Sequence, residues 1–355
     1  MPMPNITITF KTLGATAIKR SEKGTVAMIL SEAAPALQGE HILTNVTQVP
    51  ALSAANKEQV SLAFMGYSLP PRKVILYVIG AEGNDLAKAL EYFATQQFDY
   101  LVGAPEFTAE EVETIASWVK SRRSEKHTAK AVLPNLAADT EGVINFATAD
   151  ITTGAKTFTT AEYCARMAGL IAGTPMAMSA TYAPLSEVTN VTRLTKEQMD
   201  TAVDDGKLIL FHNGKEVLTG RAVNSLTTTT QDKGEAYRKI KILEVMDMLQ
   251  NDIRMTAQNS YIGKYANSYD NKCLLVTAIQ GYLEGLEVSG ILQKGASVVE
   301  IDVAAQENYL KSKGNDTSEM SEQEIKEANT GSEVFIRMTV KILDAIEDIT
   351  IAVSI

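Results

Sequence analysis

The side chains best suited to catalysis are sparse and scattered in this 355-residue chain. Its three histidines, His41, His127 and His212, stand far apart, and none belongs to a His-x-x-Glu-His or Glu-x-x-His pattern. The spacings that bring zinc or diiron ligands onto one helix face are therefore missing, and each reads as a surface or core histidine. No Gly-x-Ser-x-Gly elbow occurs, and nothing ties a serine to a histidine and an acid as a hydrolase triad requires. Cys164 and Cys273 lie in apolar, helix-like segments without a neighbouring histidine or close cationic pair to lower a thiol pKa. They read as packing residues. The place suited to cradling a phosphate is Gly80-Ala81-Glu82-Gly83-Asn84, where the apolar run Val74 to Ile79 meets a helical segment. It lacks the Gly-x-Gly-x-x-Gly spacing and the Lys-Ser/Thr of a phosphate loop, and Glu82 repels phosphate, so an ordinary strand-to-helix turn is favoured. No cofactor, metal or catalytic residue is expected, and the chain reads as something other than an enzyme. A Rossmann-like nucleotide-binding enzyme is kept as a rival.

Composition narrows the partners. A net charge of -10 sets the protein against nucleic acid and anionic membranes, both of which attract basic surfaces, so neither is an expected partner. Hydrophobic content of 45% supports a folded core, and the length suits two compact units better than one. Met1 to Thr7 lacks a basic start followed by an apolar core, and no later apolar run is long enough to cross a bilayer. The expectation is a product of the bacterial cytoplasm with no signal peptide and no direct membrane insertion.

Stepping along the chain, residues 72 to 133 alternate apolar runs with helical segments: Val74 to Ile79, Asp85 to Thr95, Tyr100 to Val102, a second helix, and Ala131 to Leu133. That alternation is the mark of a layered α/β sheet. The second helix is well marked, because Thr108 and Glu111 form a capping box and Val112, Ile115 and Val119 recur on one face. Arg122, Arg123, Lys126 and Lys130 at its end read as a solvated helix terminus. Beyond about Pro184 the strands shorten, with Lys207 to Phe211 and Glu216 to Thr219 joined at Asn213-Gly214. A long helix follows with Ile242, Val245, Met246, Leu249 and Ile253 on one face, then a helix over Leu274 to Leu286 and a strand over Val298 to Val303. Lys311 to Asn329 is polar and reads as a loop or loosely held helix. The expected class is α/β, or α+β overall: residues 1–24 an arm and linker, 25–185 an outer α/β domain, 186–330 a mixed α/β domain and 331–355 a terminal strand pair.

Both ends carry period-2 patterns. Ile6, Ile8 and Phe10 alternate with threonines, and a polar leader separates them from the apolar run Val26 to Leu30. Val334, Ile336, Met338, Val340 and Ile342 alternate; Asp344, Glu347 and Asp348 interrupt; Ile349, Ile351, Val353 and Ile355 resume on the opposite parity. Termini usually fray, so this much patterned apolar surface implies a receiver. Unpartnered strands at each end suit addition to a neighbour's sheet edge, with the linkers Lys11 to Gly24 and Lys311 to Gly331 pliable enough for subunits to slide.

The ordered set Val223-Asn224-Ser225-Leu226-Thr227, Asp232-Lys233-Gly234-Glu235, Arg238-Lys239-Ile240-Lys241-Ile242, Val245-Met246-Asp247 and Asn251-Asp252-Ile253 resembles the C-terminal domain of contractile tail sheath proteins. Tyr261-Ile262-Gly263-Lys264, Asn267, Asp270-Asn271-Lys272 and Ala278-Ile279-Gln280-Gly281-Tyr282 continue it, and the leader through Ala17 to Gly24 is similar to that of short sheath proteins, including diffocin-type R bacteriocins. The resemblance implies an outer α/β domain, a tube-proximal C-terminal domain and strand-donating arms. It implies a homo-oligomer of stacked hexameric rings, with an inner tube protein, baseplate and terminator proteins as partners, released as part of a phage tail or bacteriocin particle. Arg238, Lys239, Lys241 and Arg254 are the tube-facing candidates, on the expectation that they form an exposed basic stripe. A non-contractile self-assembling structural protein is the second rival.

Overall fold

A computed structural model describes residues 17–80, 85–154 and 156–354. The expected arm residues Ile6, Ile8 and Phe10, and Ala81 to Asn84 of the glycine-containing turn, lie outside them. The chain divides into two units. The larger comprises Glu22–Asp247 with Asp344–Ile355, and the smaller comprises the described part of Met1–Ser21 with Met248–Leu343. The expected boundary between residues 185 and 186 falls inside the larger unit.

The larger unit runs β1 (Thr25–Glu32), β2 (Gly39–Leu43), α1 (Ala54–Phe64), β3 (Lys73–Gly80), α2 (Leu86–Ala94), β4 (Tyr100–Val102), α3 (Ala109–Ser124), β5 (Ala131–Pro134), β6 (Val143–Phe146), β7 (Ile151–Thr153), β8 (Thr157–Phe158), α4 (Thr160–Ala172), β9 (Val188–Asn190), α5 (Lys196–Asp204), β10 (Lys207–Leu208), β11 (Leu210–His212), β12 (Val217–Thr219) and the start of α6 (Ile240–Thr256). Seven strands form a sheet in the order β10-β6-β5-β4-β1-β3-β2, parallel except for β2. β10 pairs with β6, which is why the 185/186 cut fails: the strand after it belongs to the sheet before it.

Strand periodicity sorts the core into two layers. In β1, Val26, Met28 and Leu30 point to the face covered by α1 and α4, while Ala27 and Ile29 point to the face covered by α2 and α3. A strand buried on both faces has no polar alternation, hence the continuous apolar run in the sequence. The Thr108–Glu111 capping box forms as expected, and its twin at Thr159–Glu162 starts α4. α4 meets α1 backbone to backbone: a Cβ at Gly169 would overlap the Ala63 carbonyl.

One feature of the sheet bears on the nucleotide rival. Glu32 closes β1 at the edge where a doubly wound fold binds ligands, and its Oε1 accepts from Ser53 N at 2.6 Å and Asn56 Nδ2 at 2.9 Å. Burial pushes this carboxyl up, but the bonds from Asn56 and Ser53 outweigh it and hold it below the usual carboxylate range. The N-terminus of α1 is thus spent on the chain's own anion.

The smaller unit contains the rest of α6, α7 (Tyr269–Val288), β13 (Val298–Ile301), α8 (Val303–Ser312), α9 (Glu322–Glu327) and β14 (Ile336–Thr339). The polar stretch expected as a pliable linker over Lys311 to Gly331 is ordered instead. Ser321 and Glu324 form a capping box for α9, Ile325 is buried, and the buried Gln306 amide donates to the Ile325 and Lys326 carbonyls. Polarity concealed this because the polar groups bond to one another.

Candidate assembly surface

The alternating pattern near the C-terminus resolves into two different things. Its first half enters β14, which pairs antiparallel with β13 from Val298↔Thr339 to Ile301↔Ile336. Asp302 N to Phe335 O (2.9 Å), Gln293 N to Lys341 O (2.8 Å) and Leu343 N to Ile291 O (2.9 Å) carry the pairing beyond the strand ends. Asn267 fixes the approach, its Nδ2 donating to the carbonyls of Gly331 and Glu333, both at 2.9 Å. The expectation of a strand with no partner in its own chain therefore does not hold for Ile336 and Met338: β13 takes one edge. Val334 and Met338 stay exposed, while Ile336 and Val340 are half-buried. Among the described residues no third strand lies on either outer edge of this ribbon.

The second half forms no strand. Ile349, Ile351 and Val353 are 74%, 77% and 79% exposed, without regular structure. A strand is a pairing and not a local state, so alternation alone cannot produce one. Just before it, in the larger unit, the chain is pinned. Glu347 Oε1 accepts from the Thr181 hydroxyl at 2.6 Å and lies 3.3 Å from the Ser179 hydroxyl. Arg221 binds Asp348 at 2.6 Å and lies 3.6 Å from Glu347, and Lys239 pairs with Asp344 and, at 3.6 Å, with Glu347. The bond to Asp348 leads in raising the Arg221 pKa, so this guanidinium stays charged.

The N-terminal approach is pinned more deeply. In the larger unit, Lys23 Nζ meets Glu244 Oε2 at 2.7 Å and donates to Thr174 O at 2.9 Å. Glu244 Oε1 accepts the Tyr100 hydroxyl at 2.6 Å. Burial first, and then the charge of Glu244, pushes Tyr100 well above its ordinary pKa and keeps it a donor. Asp99 Oδ2 accepts from the backbone N–H groups of Gly24 and Thr25, both at 2.8 Å. In the smaller unit, Asp252 accepts from Ser21 N at 3.0 Å and from the Tyr282 hydroxyl at 2.7 Å. The linker expected to be pliable through Gly24 is thus anchored from Ser21 onward.

The exposed basic stripe does not form. Lys241 is buried, and desolvation lowers its pKa. Lys239 is engaged by the terminal acids, and Arg238, just ahead of α6, donates to Glu235 and to the Val203 and Asp204 carbonyls. Arg254 is half-buried and donates to Asn251 at 3.2 Å. The end of α3 is solvated only in part: Lys126 is exposed, but Arg123 and Lys130 both bind buried Asp247, at 3.0 and 2.8 Å, and Arg123 also binds Glu141. Because α6 is buried on most sides of its first half, its charges need partners from distant segments, and no local pattern announces those. Thr181, Arg221, Lys23 and Glu244 were missed for that reason. The available signal was the triplet Asp344, Glu347, Asp348 interrupting an otherwise regular pattern.

No helix among the described residues is long and apolar enough to cross a membrane. Residues 80–225 match the phage tail sheath protein central domain, and residues 232–355 match the phage tail sheath C-terminal domain. A tail sheath protein of Clostridium phage phiCD119 is 39% identical over 99% of this chain and 98% of its own length. Among solved structures, a sheath tail protein from Desulfitobacterium hafniense is similar at a TM-score of 0.69 with 19% identity, over 84% of this chain and 94% of that one. The sheath complex of an extracellular contractile injection system, PVC, in its contracted state gives 0.71 with 12% identity, over 100% of this chain and 98% of that one. At such identities the structures have the fold in common with this protein.

Proposed function

Because the chain belongs to the phage tail sheath protein family, whose members are structural proteins, we propose that it polymerises around an inner tube in an extended, metastable state and contracts to drive that tube through a target cell envelope. The observation that carries this reading is the exposed apolar run Ile349 to Val353, whose alternation fits a strand and whose backbone pairs with nothing among the described residues. Added to the bare edge of a second copy's β13–β14 ribbon, it would gain main-chain hydrogen bonds while its alternate side chains set the register. Head-to-tail contacts of this kind do not close on a dimer; they propagate as rings and helical lattices. Stacked hexameric rings, an inner tube protein, and baseplate and terminator proteins complete the proposed particle, assembled in the bacterial cytoplasm. Contraction draws on free energy stored at assembly and needs no nucleotide.

Deleting Ile349 to Ile355 is expected to leave a folded subunit, by circular dichroism, that forms no tubes under the electron microscope. Tubes of normal length from that truncation would refute strand donation by this segment. A polymer with a single lattice geometry under every condition would favour a non-contractile assembly instead.

A further inference from the structure

We propose that Asp344, Glu347 and Asp348 form an electrostatic clip with Thr181, Arg221 and Lys239, and that these are positioning residues setting where and in which direction the donated strand leaves its own subunit. The proposal rests on the strand-donation reading above and adds to it the residues that aim the strand.

The receiving side of the clip is built before the tail arrives. Thr181 Oγ1 accepts from Ala222 N at 2.9 Å and lies 2.9 Å from the Ser179 hydroxyl, which donates to it. Its own proton is therefore left for Glu347. The neighbouring backbone is tied to β12, Tyr182 N donating to Thr219 O at 3.2 Å and Ala183 N to the Thr219 hydroxyl at 2.8 Å. Arg221 stands two residues past the end of β12 and Lys239 immediately precedes α6, so both cations are held close to regular elements.

On the tail, the acids and the apolar side chains are sorted. The Glu347 side chain is only 7% exposed while Ile346 beside it is 86% exposed, and the exposed Ile349, Ile351 and Val353 begin one residue after Asp348. A hydrophobic segment that merely lay on its own subunit would turn Ile346 inward and the carboxylates outward. At the Ile346–Glu347 pair the arrangement is the reverse: the Glu347 carboxylate turns inward and fastens the root while Ile346 and the apolar residues beyond Asp348 are presented outward, as delivery to a second copy of this chain requires.

The clip can be read directly with a glutamate-specific endoprotease acting on the purified full-length subunit, because cleavage after Glu347 requires that side chain to leave Thr181 and enter the protease. Losing one charge-assisted partner is expected to increase the open population by about tenfold. Thr181→Val should speed cleavage after Glu347 by about that factor, and Arg221→Ala by a smaller factor of a few-fold, with cleavage after the exposed Glu319 unchanged. The same variants should require several-fold more subunit to form tubes, and Arg221→Lys, which keeps the charge facing Glu347 and Asp348, should hold both readings closer to wild type than Arg221→Ala. Asp348→Asn, at a side chain 82% exposed, gives a variant whose folding is not in question. Equal cleavage rates in wild type and variants overturn the clip. Normal tube formation by a rapidly cleaved variant overturns its positioning role. The proteolysis needs no polymer, so its failure is distinct from a failure of strand donation, which the Ile349 to Ile355 truncation reads.

Discussion

The two ends of the described chain are fastened by the same chemistry at opposite depths. At the N-terminal root, Lys23 and Glu244 are 8% and 5% exposed, with Tyr100 and the Thr174 carbonyl completing the site. At the C-terminal root the Glu347 side chain is also buried, but the cations that face it are open to solvent, Arg221 at 36% and Lys239 at 32%, and Asp348 is 82% exposed. A desolvated pair is screened little by salt and is costly to break, because removing one partner strands a buried charge. An exposed pair contributes little and is weakened by salt. The N-terminal root therefore behaves as a fixed joint and the C-terminal root as one that can be opened, a division of labour suited to the proposed donation of the last strand.

Breaking the deep root should have the largest effect. Glu244→Ala leaves Lys23 buried without its carboxylate, and is expected to cost about 3–5 kcal/mol in urea denaturation of the full chain. Arg221→Ala at the shallow root should cost less than about 1 kcal/mol in the same assay. Equal losses would abolish the distinction between the roots.

Salt should sharpen it. Raising sodium chloride to about 1 M shortens the Debye length to about 3 Å, so cleavage after Glu347 by the glutamate-specific protease should accelerate several-fold. Trypsin cleavage after Lys23, which needs the buried ammonium released from Glu244, should stay constant over the same range.

The smallest effect concerns pH. Burial pulls Lys239 down, but the bond to Asp344 and the charges of Asp344 and Glu347 outweigh it, so its pKa is raised above the ordinary 10.5. A lysine raised in the folded state contributes stability that is fully present below 10.5 and is lost as pH rises through the folded value. Cleavage after Glu347, corrected for the protease's own pH profile, should therefore be flat from about pH 7 to 9.5. A rise inside that window would show that the tail contacts do not raise the Lys239 pKa.

Legibility in the sequence followed the range of the interactions. β1, β3, β4 and β5 and the Thr108–Glu111 cap were readable because strand periodicity and capping are local, and the mixed α/β class followed from them. The terminal alternation was readable as amphipathic, yet the sequence could not say that Ile336 to Thr339 would find β13 while Ile349 to Val353 would find no partner among the described residues, since pairing depends on a strand elsewhere. Charge misled in the same way. Lys241, Arg123 and Lys130 looked solvated because their surroundings are set by residues far along the chain, and the polar Lys311 to Asn329 looked loose because its internal bonding leaves no apolar periodicity.

The β13–β14 ribbon also has a practical consequence. Two strands with bare edges are a template for indiscriminate pairing, and longer or flatter edges of that kind nucleate precipitation. Stocks of the isolated subunit should thus have a storage life that shortens steeply with concentration, and under the proposed polymerisation prompt incorporation into a growing particle would act as a form of quality control.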